Sequence, residues 1–299
     1  MLTEAAARNT LLDPEFLLKL ERLAIAAKRV QLGVTKGERK SKRKGSSVEF
    51  ADYRDYVQGD DLRHVDWNIV GRLNALYLKL FQEQEDLTVH LLIDSSRSMS
   101  FGNPPKISFA CKLAAAIGYI GLIGYDRVSA ESFNSAGTQS LRPCRGRISA
   151  GKLFAFLSAI KAQGDTHLEE ACRSYLLRNR SKGVIILISD FFDQDGFVEC
   201  LRRLAQANCD LYVVHVLSPE EIDPPMSGDL KLIDCEIKAF TEVSVSRTLL
   251  KRYKSNLGGF CEEIRRACLA RGIGYVFTSS AAPVERLTLE VLRKGGLVR

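Results

Sequence analysis

The sequence predicts an α/β protein built on a doubly wound, mainly parallel sheet, with a small β subdomain and an N-terminal helix. Three observations carry this. Short apolar runs rich in β-branched residues, GVIILIS at 183–189 above all, suit central parallel strands buried on both faces. Segments of helical length separate those runs, which is the rhythm of βαβ units. The composition, 45% hydrophobic and 26% charged over 299 residues, is ordinary for a globular chain and excludes a fibrous or disordered one.

The elements follow in order. Asp13-Pro14 reads as an N-cap with proline in the first turn. Phe16, Leu20, Leu23, Ala27 and Val30 then recur at helical spacing, with Gly33 as a stop. VTKGERKSKRKGSS follows as a basic linker, so residues 1–45 are expected to be an N-terminal helix and a linker. Eight Lys or Arg lie between Lys28 and Lys44 against Glu38 alone, which accounts for the whole net charge of +7. A nucleic-acid-binding surface on the folded part therefore has no support from charge.

Residues 46–86 are dense in acids, arginines and aromatics. Gly59-Asp60 reads as a turn, and 76–81 alternates as a strand. This segment is expected to pair with 230–245 into the small β subdomain. The planar forks of Arg54, Arg63 and Arg72 would hold Asp52, Asp55, Asp60, Asp61 and Asp66. Tyr53, Tyr56 and Trp67 are the expected apolar anchors.

Residues 87–299 carry the main sheet. Strands are expected at 87–93, 127–133, 183–189, 211–216 and 273–278. Helices are expected at 107–123, 149–161, 167–177, 198–207, 247–271 and 283–294. The stretch 219–245 breaks the rhythm and reads as an insertion. No run reaches the ~18 apolar residues that span a bilayer, and the first residues lack a basic start followed by an apolar run. The expectation is a cytoplasmic protein with no transmembrane segment. None of the eight cysteines lies in a CxxC pair, which points to reduced thiols rather than a zinc site.

Ligands of open α/β sheets sit at the carboxyl ends of the strands. Three polar segments fall there. Asp94-Ser95-Ser96-Arg97-Ser98 follows the strand LTVHLLI, Gly164-Asp165-Thr166 precedes a helix, and Ser189-Asp190 ends GVIILIS. Asp94, Ser96 and Ser98 alternate, so a loop curling over the strand end can aim three oxygens at one point. Thr166 adds a hydroxyl and Asp190 a carboxylate. Hard oxygen donors without nitrogen or sulfur suit magnesium, with manganese or calcium as substitutes.

This D-x-S-x-S, Thr, Asp arrangement resembles the metal-ion-dependent adhesion site of von Willebrand factor type A domains. The resemblance implies that Asp94, Ser96, Ser98, Thr166 and Asp190 bind one divalent ion. A coordination position would stay open for an acidic side chain of a protein partner. The block EFADYRDYVQGDDLRHVDWN, then GRLN and LYLKLFQEQED, is similar to the signature of a bacterial family, domain-of-unknown-function family fifty-eight. Its members are usually encoded beside MoxR-type AAA+ ATPases. The similarity continues through DSSRSMS, GDT, ISDFFD and LSPEEIDPPMSGDLKLIDCE to RRACLARGIGYVFTSS. It implies a non-enzymatic adaptor or chaperone-like partner of such an ATPase.

Two other functions compete. A metal-assisted phosphoester hydrolase would need the ion to activate water, with Asp190 or His167 as base. Lys36–Lys44 could tether the chain to an anionic membrane or to nucleic acid. The run GRISAGK at 146–152 has P-loop spacing but is followed by Leu153, where Ser or Thr should hold magnesium. His90 and His215 lie inside apolar strands and are expected to be core residues.

Overall fold

The structure is a computed structural model and describes residues 11–23, 25, 48–58, 60–73, 75–83, 87–179, 181–193, 196–226, 228–233, 240–291 and 296–298. The chain divides into two compact units, one of residues 34–86 and one of residues 1–33 with 87–299.

α1 (Pro14–Leu20) has Asp13 at its N-cap and Pro14 at its first position, and buries Phe16 and Leu20. It is shorter than the apolar stripe suggests. A turn follows at Glu21 and Arg22, and Ile25 pairs with Val298. Ala27, Val30 and the basic linker lie outside the described residues.

In the smaller unit, β1 (Val48–Asp55) pairs antiparallel with β2 (Tyr77–Glu83), with α2 (Trp67–Leu73) between them in sequence. The arginine forks close locally. Arg54 donates twice to Asp60, at 2.7 and 2.8 Å, and Arg63 donates to Asp61 at 2.7 Å. Buried Asp66 accepts from the backbone of Asn68 and from the Tyr53 hydroxyl, which fixes the start of α2. Trp67, at the start of α2, is exposed.

In the larger unit, six strands lie in the order β10-β7-β6-β3-β4-β5. These are β3 (Thr88–Asp94), β4 (Arg127–Asn134), β5 (Gly137–Arg145), β6 (Gly183–Ser189), β7 (Cys209–Leu217) and β10 (Gly274–Ser279). All neighbours run parallel except β4 and β5. The chain leaves β3 toward β4 on one side and returns to β6 on the other. The switch point of the topology therefore falls between the carboxyl ends of β3 and β6.

Helices cover both faces, as the continuous apolar strands require. On one face α3 (Lys106–Ile123) and α4 (Ala150–Ala159) join α1 over Val89, Leu91, Ile93, Val184, Ile186 and Ile188. On the other, α5 (Leu168–Arg178), α6 (Val198–Ala205) and α8 (Arg247–Leu269) cover Leu92, Ile185, Leu187 and Val213. Successive strand residues thus alternate between two cores. α3 is long and apolar enough to cross a membrane, but its residues pack inside this fold on most sides.

The stretch after β7 forms the short α7 (Pro219–Ile222) and an antiparallel hairpin, β8 (Gly228–Ile233) with β9 (Phe240–Val245). The expected joint subdomain is not formed among the described residues, because β1–β2 and β8–β9 are separate two-stranded sheets. Each segment meets a partner close in sequence, where loop closure costs least. Three further readings are corrected. β5 was not expected, because its polar residues and Pro143 belong to an exposed edge strand. The closing helix is a short α9 (Val284–Arg286) running into a π-helical turn, 287–291. Cys172 and Cys200 are joined as a disulfide, since α5 and α6 bring their Cα atoms to 5.8 Å, whereas five other described cysteines are free.

Candidate functional site

Asp94, Ser96 and Ser98 lie at and after the carboxyl end of β3, and Asp190 just after β6, beside the switch point. Asp94, fully buried, ends β3. Its Oδ1 accepts from the Ser96 backbone at 2.9 Å, and its Oδ2 accepts from the Ser189 hydroxyl at 2.6 Å. The Ser96 and Ser98 hydroxyl oxygens lie 3.0 Å apart, because a 3-10 turn at Arg97–Ser100 curls the chain back. Asp190 follows β6; its Oδ1 accepts from the Phe192 backbone and its Oδ2 from Lys106.

Thr166 is buried on a turn docked against the same loop. Gln163 donates its backbone N–H to Ser95, and Arg97 donates to the Gly164 carbonyl, each at 2.8 Å. Gly164 has φ +73°, the left-handed region that favours glycine, and a Cβ there would lie 2.7 Å from Ser135 Oγ, so that hydroxyl would have to shift. His167 is exposed, at the N-cap position of α5.

The backbone just past Asp190 is strained. Phe191 has φ +60°, a left-handed conformation that costs a bulky residue on the order of 1–3 kcal/mol. Burial of its ring against Phe197 and His215 offsets that cost. Ser189 Oγ accepts from the Phe191 backbone while donating to Asp94, so one hydroxyl ties the kink to the other carboxylate.

Two participants were missed by the sequence reading. Lys106, fully buried at the start of α3, donates to Asp190 at 2.7 Å and to Glu221 Oε1 at 2.5 Å. Its ammonium also lies 5.2 Å from the centre of the Phe192 ring. Glu221 is held in place by α7, where it forms a capping box with Ser218. The signal for Glu221 was the S-P-E-E start of that helix. Lys106 gave only a lone lysine heading an apolar helix.

Electrostatics follow from these contacts. Burial and the nearby Asp190 charge push the Asp94 carboxyl up to about 7, against the lowering effect of its bonds from Ser189 and Ser96. Burial works against the Lys106 ammonium, but Asp190 and Glu221 outweigh it and hold its pKa above the ordinary lysine value. Burial raises Glu221, opposed by Lys106. With every carboxyl ionised, Asp94, Asp190 and Glu221 against Lys106 leave two negative charges in excess. A divalent cation carries that charge, and the donors are oxygens suited to magnesium. Among the described residues no three His, Cys, Asp or Glu gather at one point, so any ligation would depend on the hydroxyls as well.

The other histidines are core residues. His90 lies between the Ser129 and Ser181 hydroxyls, and His215 meets the Tyr275 hydroxyl. Burial lowers each to about 4, so both are neutral near pH 7. The 146–152 run is a turn between edge strand β5 and α4, with Ile148 almost fully exposed, rather than a loop after a buried strand.

The family described as protein of unknown function DUF58 matches residues 52–258. An uncharacterized protein of Mycobacterium tuberculosis strain H37Rv, Rv1480, is 26% identical over 249 residues, covering 81% of this chain and 78% of its own. Among solved structures, the conserved hypothetical protein BatB from Bacteroides thetaiotaomicron is similar at 16% identity with a TM-score of 0.42. That likeness covers 70% of this chain and 98% of BatB. The SpRpn10 VWA domain is similar at 10% identity with a TM-score of 0.38, covering 67% of this chain and 92% of its own.

Proposed function

The chain belongs to the family described as protein of unknown function DUF58, and on that footing we propose a non-enzymatic protein-interaction module. Its working surface is the carboxyl-end rim of the six-stranded sheet. Asp94, Ser96, Ser98, Thr166 and Asp190 would hold one Mg2+, with Mn2+ or Ca2+ as substitutes. When bound, the ion supplies a coordination position for an acidic side chain of the partner. The protein's own residues do the rest. Ser189 and the Ser96 backbone orient Asp94, Lys106 and the Phe192 backbone orient Asp190, and the 163–166 turn seats Thr166 against the loop.

The observation that carries the reading is geometric: buried Asp94 and Asp190 lie at the carboxyl ends of neighbouring strands β3 and β6, with the Ser96 and Ser98 hydroxyls 3.0 Å apart on the loop after β3. Burial first, and the Asp190 charge second, push Asp94 up to about 7. Burying unpaired negative charge costs several kcal/mol (on the order of the penalty for any buried ion). A fold keeps such a cluster where a cation offsets it.

Hydrolysis fits less well. A base is needed beside the ion, but Asp190 is engaged by Lys106, and His167 is exposed at the start of α5. The partner we propose, from the family resemblance, is a MoxR-type AAA+ ATPase in the cytoplasm, which would remodel complexes held by this rim. The test is a pull-down with wild type and Asp94→Ala, each in magnesium and in chelator. The reading expects capture by wild type in magnesium alone. A partner retained equally in all four conditions removes the metal from the mechanism.

A further inference from the structure

A polar cavity of about 250 Å3 opens on the same rim, beside the turn from β4 to β5. Some of its wall is fixed internally. Asn134 Nδ2 donates to Ser95 Oγ at 3.1 Å, its Oδ1 accepts from the Ala136 backbone, and Ser95 Oγ donates to the Phe133 carbonyl. Ser132, Thr138, Gln139, Lys161 and Gln163 also line the cavity. None of these five side chains makes a hydrogen bond or ion pair among the described residues. Two amides, two hydroxyls and one ammonium thus line the concavity without a partner among the described residues; Ser132 is buried and the other four residues are exposed.

Such a set selects its ligand by chemistry. Amides and hydroxyls accept many polar groups, but the only formal charge in the lining is that of Lys161, which favours an anion. One cation matches one carboxylate better than a doubly charged phosphate. The cavity is also coupled to the metal loop. Ser95 is shared with it and precedes Ser96, and the Gln163 backbone donates to the Ser95 carbonyl at 2.8 Å. Resting on the function proposed above, we infer that this cavity receives a second carboxylate side chain of the same partner segment. Lys161 seats it, with Gln139 and Gln163 donating to its oxygens. The partner is then an acidic segment that presents two carboxylates, one to the ion and one to Lys161.

The test uses full-length protein labelled with 15N and a probe that needs no partner, N-acetyl-glutamate methylamide, added in chelator. The expected result is saturable shifts of backbone signals at 132–139 and 161–163 in the millimolar range. Lys161→Met should weaken that binding about tenfold, the loss expected for one charge-assisted hydrogen bond. The neutral probe N-acetyl-glutamine methylamide should bind wild type as weakly as the acid binds the variant. Absence of saturable shifts in wild type at tens of millimolar overturns the proposal, and so does equal binding by Lys161→Met. Magnesium alone is titrated separately and read at 94–98 and 190. If it shifts nothing there while the acid still fills the cavity, the metal reading fails and the cavity stands. If the acid shifts only 94–98 and needs magnesium, the metal reading stands and the cavity proposal falls.

Discussion

The ammonium of Lys106 lies 2.7 Å from Oδ2 of Asp190, and both side chains are fully buried. The same nitrogen reaches Glu221 from a helix 115 residues further along the chain. One internal cation therefore joins the end of a central strand to the turn after the next strand. It also offsets one of the two negative charges of Asp190 and Glu221, leaving one for a divalent ion to balance.

Replacing Lys106 by methionine keeps the length and removes the charge. Breaking a buried pair in this way costs about 3–5 kcal/mol, because the carboxylates are left uncompensated. We expect Lys106→Met to melt well below wild type in chelator, and magnesium to raise its melting temperature more than that of wild type. A variant as stable as wild type in chelator would show that the ion pair contributes no net stability.

Asp94 gives the metal-free protein a pH dependence of defined sign. Its folded pKa, near 7, lies above the ordinary carboxylate value of 3.8. Between those values the folded state holds a proton that the unfolded state has lost. Its contribution to stability therefore falls as pH rises from about 4 to about 7, and levels off above. Asp94→Asn removes this slope. Melting curves in chelator across that window should converge at low pH, with the variant more stable above pH 7. Parallel curves would contradict the assignment.

Gly164→Ala places a Cβ 2.7 Å from Ser135 Oγ on a backbone with φ +73°. Alanine at a positive φ destabilises by about 1–2 kcal/mol. Denaturant titration should show that loss, with magnesium affinity reduced as the Thr166 turn moves. Unchanged stability would mean that the 163–166 turn adjusts freely.

The hydroxyls of Ser96 and Ser98 bond to each other. Removing both as alanine should cost the fold about 1 kcal/mol and weaken magnesium binding far more. Equal magnesium affinity in the double variant would exclude the serines as ligands.

The parts of this picture legible in the sequence are those set by local pattern. The runs 87–93, 183–189 and 211–216 announce buried strands because both their faces are apolar. Asp94 and Asp190 could then be placed at strand ends, since a parallel sheet aligns its carboxyl ends. β5 was hidden, because an edge strand need not be apolar and GTQSLRPCR has no alternating pattern to detect. Lys106 was hidden for a different reason. A lysine at a helix start is usually solvated, and only the fold brings Asp190 and Glu221 to it. The arginine forks of 46–86 were recognised as such, but their partners, Asp60 and Asp61, lie within a few residues.

The most direct measurement is calorimetric titration of magnesium into metal-free wild type and Asp94→Ala at pH 7.5. The account predicts one saturable site in wild type, with proton release as the Asp94 carboxyl is ionised, and none in the folded variant. Wild type that takes up no magnesium at millimolar concentration, or a variant that binds as well as wild type, would contradict it.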